Sequence, residues 1–135
     1  MAIYVHKRFD RSFKKTGHYD DDLCHAAAEV KRGEFEADLG GGVIKKRIAL
    51  TAGKRGGARS VIFFKRGNTL FFDDGWSKCE MSSKSAKEFQ DDVLATYKIL
   101  AKGYLQTSAA DLLKLQMSGT FREVNCDEND ASTIK

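Results

Sequence analysis

Apolar residues recur along this chain with two different periods, and the switches between them divide it into elements. Residues 2–6 (AIYVH) predict a short edge strand. Residues 8–15 place Phe9 and Phe13 four apart, on one face of a helix. Residues 20–32 predict a second helix. Asp20 is its N-cap, Asp21 and Asp22 suit the positive end of its dipole, and Leu23, Ala26, Ala27 and Val30 form its apolar stripe. Gly33 supplies its stop. Three strand-like runs follow, at 43–50, 58–65 and 69–76. In the first, Ile44, Ile48 and Leu50 share one face, while Val43, Lys45, Arg47 and Ala49 share the other. Arg66-Gly67-Asn68 joins the second and third runs as a hairpin.

The strongest helical signal covers 85–105. Ser85 with Glu88 forms a capping-box pattern, and Phe89, Val93, Tyr97, Leu100 and Tyr104 recur every three or four residues. Ser108 with Asp111 opens a shorter helix that turns Leu112, Leu115 and Met117 inward and ends at Gly119. Residues 121–124 predict a last short strand. The sum is an α+β domain: an antiparallel sheet of three to four strands, two N-terminal helices and a long C-terminal helix, with the helices on one face. It spans 1–125 as a single unit, and the polar residues 126–135 read as a frayed tail.

Composition narrows the class. The chain has 135 residues, too few for two ordinary domains but enough for one core. Its 41% hydrophobic content argues against disorder throughout. No apolar run approaches the roughly 20 residues that cross a bilayer. The first residues lack the unbroken apolar centre and small-residue cleavage site of a secretory signal. Cys24, Cys79 and Cys126 are widely spaced, with no CxxC or CxxH pair, so a zinc site has little support. They read as reduced thiols of a cytosolic protein, with Cys24 a small core residue. The glycines of Asp38-Leu39-Gly40-Gly41-Gly42 lack the Gly-Lys-Ser/Thr of a nucleotide loop.

Charge changes the picture more. The net +4 is unevenly divided: residues 1–42 carry seven basic and eight acidic residues, residues 43–78 nine and two, and residues 79–135 seven and nine. The middle segment, at net +7, points to a polyanionic partner. Lys45 and Arg47 share a strand face, Lys54 and Arg55 lie on the loop beyond, Arg59 opens the next strand and Lys78 follows the third. Neighbouring strands would bring them to one patch. His6, His18 and His25 lie outside this segment and read as surface or packing residues. Asp73 and Asp74, adjacent on a strand, face opposite sides and make a poor metal pair. Lysine and arginine alone suffice for a metal-free attack on RNA, whose 2′-hydroxyl is an internal nucleophile that DNA lacks.

The runs Leu39–Ala49, Gly53–Arg59 and Phe71-Phe72…Gly75-Trp76-Ser77-Lys78 together resemble the RelE/HigB-like toxins of type II toxin–antitoxin modules, whose pattern is approximately LGGGVxKxRI, GKSGGYR and FFxxGFAKSER. The resemblance extends over about residues 20–124. It implies a small cytoplasmic toxin of RelE-like fold that cleaves mRNA on the ribosome without a cofactor and is held by an antitoxin, usually of the helix-turn-helix type. It further implies that Arg59 and Lys78 hold the scissile phosphate, with Lys45, Arg47 and Lys54 supplying backbone contacts, charge stabilisation or proton transfer. Lys46, Arg55 and Trp76 are further candidates for RNA contact. Trp76, in place of the pattern's phenylalanine, either stacks on a base or anchors the core. Arg55 replaces the serine of GKSGG, Ala58 replaces the tyrosine before Arg59, and Cys79–Ser83 replace the end of the third motif. Two other readings are a non-catalytic module binding RNA or protein, and a ParE-like relative acting on gyrase.

Overall fold

The computed structural model describes residues 2–13, 20–49, 58–65, 69–77 and 91–126. Six strands and four helices follow one another as β1 (Ala2–His6), α1 (Lys7–Phe13), α2 (Asp20–Lys31), β2 (Ala37–Gly40), β3 (Val43–Ile48), β4 (Ala58–Lys65), β5 (Thr69–Ser77), α3 (Asp91–Leu105), α4 (Ala109–Met117) and β6 (Phe121–Val124). The strands form one sheet in the order β2-β3-β4-β5-β1-β6.

This corrects the expected sheet in size and in direction. β2 was not anticipated, because Ala37–Gly40 has no alternating pattern. It pairs with β3 through a tight turn in which Gly40, Gly41 and Gly42 all have positive φ. The glycine run is thus a hairpin turn. β1 does not sit at an edge: it lies between β5, to which it is parallel, and β6, to which it is antiparallel. The remaining pairs are antiparallel, so the sheet is mixed.

Helices cover both faces of the sheet, not one. Alternation along the strands explains why. Ile44 and Ile48 of β3, Ile62 of β4 and Leu70 and Phe72 of β5 point into a first apolar cluster with Phe9 of α1 and Leu23, Ala26, Ala27 and Val30 of α2. Val43, Val61, Phe63 and Phe71 point the other way, into a second cluster with Ala101, Tyr97, Leu100 and Tyr104 of α3 and Leu112 and Leu115 of α4. A sheet apolar on both faces must be covered on both. Each fully buried phenylalanine contributes about 2–3 kcal/mol.

The helices keep the expected periodicity with local changes. Ser108 caps α4, its hydroxyl accepting from the Asp111 amide at 3.1 Å, and Gly119 follows with φ +85°. Met117 points outward, at 79% exposure, and Leu94 packs inward while Val93 is exposed, since the α3 stripe is rotated by one residue at that point. The capping box of Ser85 and Glu88, the 66–68 turn and the 51–57 loop lie outside the described residues, as do Leu50 and the 127–135 part of the expected tail.

The cysteines also depart from expectation. Cys24 of α2 and Cys126, just past β6, form a disulfide across a sequence separation of 102, with their Cα atoms 5.6 Å apart. β6 ends beside the flank of α2, and only the folded topology brings the two together.

Candidate functional site

The register of β3, β4 and β5 places the basic residues in rows. Arg47 pairs with Arg59, and Arg59 pairs with Trp76. One pair further along, Lys45 opposes Val61, and Val61 opposes Asp74. Val61 belongs to the second cluster, so Lys45, Arg47, Arg59, Asp74 and Trp76 all lie on the α3 side of the sheet. Arg47 is exposed, while Lys45, Arg59 and Trp76 are half-buried, with Trp76 packed against the second cluster. The Nη1 of Arg59 is buried and has no hydrogen-bond acceptor among the described residues. A desolvated guanidinium nitrogen lacking an acceptor is costly, and an anion would satisfy it.

Lys46 is held away from this group. Its side chain points to the opposite face, is 7% exposed, and pairs through Nζ with Glu29 of α2 at 2.7 Å. The strand period that puts Lys45 and Arg47 together sends Lys46 to the other layer. Lys54, Arg55 and Lys78 lie outside the described residues.

A β-bulge alters β5 next to the basic rows. Ile62 opposes Phe72 but Val61 opposes Asp74, so Asp73 is the extra residue. The expected opposition of Asp73 and Asp74 is therefore lost, and both carboxylates turn toward Arg8 of α1. Arg8 donates from Nη2 to both oxygens of Asp73, at 2.9 and 3.0 Å, and its Nε stands 4.0 Å from Asp74. Asp74 accepts from the Tyr97 hydroxyl at 3.1 Å and from the Gly75 amide at 2.9 Å.

Burial sets the electrostatics here. It pushes the Asp73 carboxyl up to about 6, with the neighbouring charge of Asp74 adding to the rise and Arg8 opposing it. Burial followed by the Asp74 charge raises Tyr97, and burial followed by Asp73 raises Tyr104. His6 is lowered to about 4 by burial and by the cations Arg8, Lys7 and Arg11. Its neutral Nδ1 accepts the Arg8 amide at 2.9 Å.

Sequence reasoning missed Arg8, Asp74 and Tyr97. The acidic pair inside an otherwise basic segment was a visible signal. The helices that supply Arg8 and Tyr97 gave none, because their approach to β5 is tertiary. Among the described residues no cluster of histidine, cysteine or carboxylate groups is suited to a metal ion. No described helix is long and apolar enough to cross a membrane.

A mixed sheet covered by helices on both faces, with Lys45, Arg47 and Arg59 gathered on one of them, defines a small α+β domain with a cationic patch. The family is more specific. The model for the RelE toxin of the RelE/RelB toxin–antitoxin system matches residues 1–124, and the chain belongs to that family: it is a toxin of a toxin–antitoxin system, paired with an antitoxin. Neither the curated proteins nor the solved structures gave a significant match.

Proposed function

We propose that this toxin is an endoribonuclease that cuts mRNA on the translating ribosome by metal-free chemistry, in the manner of the RelE/HigB-like group. The observation that carries the reading is the Arg47–Arg59–Trp76 row, with the acceptor-less Nη1 of Arg59 at its centre. In this reading Arg59 and Lys78 hold the scissile phosphate. Lys45, Arg47 and Lys54 contact the backbone or stabilise charge developing on the phosphoryl oxygens. Arg55 adds to the field, and Trp76 offers an aromatic edge beside the phosphate. Lys46 serves the fold through Glu29, not the RNA. The 2′-hydroxyl attacks, giving a 2′,3′-cyclic phosphate and a 5′-hydroxyl.

A domain of 15.1 kDa has little surface with which to position a long RNA, and the ribosome supplies that positioning. The toxin acts in the cytoplasm, and a helix-turn-helix antitoxin neutralises it. The test is incubation with translating ribosomes and mapping of the new mRNA ends. Wild-type protein should produce ends in ribosome-protected codons, and a folded Arg59→Ala variant should not. Salt-dependent RNA binding with no new ends would instead favour a non-catalytic module.

A further inference from the structure

Cleavage at a 2′-hydroxyl needs a group that takes its proton, and the cations assigned so far serve that role poorly. An arginine does not accept a proton, and a protonated lysine must first lose its own. We propose that Asp74 is the proton acceptor of the cleavage reaction, an assignment that rests on the endoribonuclease reading above.

Three observations support it. The β5 bulge turns Asp74 onto the cationic face, in the row of Lys45 and diagonal to Arg59. Diagonal neighbours in an antiparallel pair stand roughly 7–8 Å apart, a distance that a phosphate held on Arg59 and its adjoining ribose can bridge. Next, the carboxylate is fixed by the Tyr97 hydroxyl on Oδ2 and the Gly75 amide on Oδ1, with the Arg8 Nε 4.0 Å from Oδ2, an arrangement that leaves a lone pair on each oxygen for the substrate. Finally, the Asp74 side chain is 25% exposed, whereas Asp73 beside it is fully buried and bound by Arg8 through both oxygens. The bulge thus separates two adjacent carboxylates into a structural one and a reachable one.

The step balances simply. The 2′-hydroxyl proton passes to Asp74 as the O2′–P bond forms. The P–O5′ bond breaks, and the departing oxygen takes a proton from a cation of the patch or from water. Asp74 then returns its proton to solvent.

The experiment compares wild type with Asp74→Asn, Asp74→Glu, Tyr97→Phe and Arg59→Ala on programmed ribosomes, measuring cleavage rate against pH and ribosome binding separately. Asparagine keeps a carbonyl oxygen as an acceptor but not the basic group. We expect Asp74→Asn to bind ribosomes normally, to cleave at least about 100-fold more slowly, and to lose the acid limb of the rate profile. Asp74→Glu should recover part of the rate, and Tyr97→Phe should keep the acid limb. The charged and titratable groups that face Asp74 are Asp73 on its strand, Arg8 of α1, Tyr97 of α3, and Lys45 and Arg59 across the sheet. If Asp74→Asn cleaves like wild type while Arg59→Ala does not, Asp74 is not the acceptor and the endoribonuclease reading stands. If wild type itself makes no cuts, that reading falls and this assignment falls with it.

Discussion

Arg8 and Asp73 lie 65 residues apart, and two hydrogen bonds of 2.9 and 3.0 Å join them. The contact ties α1 to the bulge of β5, next to Asp74 on the face that carries the cations. Arg8 thus serves two titratable groups, its guanidinium donating to the Asp73 carboxylate and its backbone amide to the His6 Nδ1.

These two groups titrate over one pH window with opposite effects on stability. Asp73 ionises near 3.8 in the unfolded chain and about 6 in the fold. Between those values the folded state holds a proton that the unfolded state has lost, so stability falls as pH rises. His6 protonates near 6.5 when unfolded and about 4 when folded, so over almost the same range stability rises with pH. Each contribution is roughly 3 kcal/mol. Asp73→Asn should therefore leave a stability that climbs from pH 4 to pH 6, and His6→Asn one that declines. Urea midpoints at three pH values read both slopes.

Lys46 and Arg47 are adjacent in sequence but should respond differently to truncation. Lys46→Ala removes the buried partner of Glu29 and should cost about 1–2 kcal/mol, with RNA affinity unchanged. Arg47→Ala, on the exposed side, should change stability by less than about 0.5 kcal/mol. It should weaken RNA binding and lower the salt slope by about one. Chemical denaturation and binding titrations at several salt concentrations distinguish the two.

At Gly42 the backbone has φ +88°, and an added Cβ would lie 2.6 Å from the Leu105 Cδ1 and 3.4 Å from the Phe64 carbonyl oxygen. Gly42→Ala combines a left-handed backbone with overpacking against α3, at about 2–4 kcal/mol. Gly33→Ala, where no atom lies within 4 Å of the new Cβ, should cost only the backbone part. Thermal unfolding of the two variants isolates the packing contribution.

The Cys24–Cys126 bridge closes a loop of about 100 residues, for which chain entropy gives about 4.7 kcal/mol of stabilisation. Reductant should lower the urea midpoint of wild type to that of the Cys24→Ser/Cys126→Ser variant, which should itself be insensitive to reductant.

Much of this arrangement was legible because it depends on local period. The strands at 43–50, 58–65 and 69–76, the helix over 20–32 and the Ser108 cap follow from alternation and capping chemistry. Lys45, Arg47 and Arg59 reach one face because residues two apart on a strand must. What escaped was non-local. The parallel seat of β1 beside β5 leaves no mark in AIYVH, and the apolar second face of the sheet becomes evident only once α3 and α4 are placed on it. The bulge at Asp73 was hidden because a single inserted residue changes the facing of every side chain beyond it. That shift is what brings Asp74 to the cations.

The place of β1 also bears on when this toxin becomes harmful. The strand made first finds one partner at residues 69–72, in the middle of the chain, and the other only at 121–124. Such distant pairing folds late and slowly. The cationic strands β3 and β4 leave the ribosome before β6 can close the sheet around β1. The interval gives an antitoxin time to meet a toxin that has not yet finished folding.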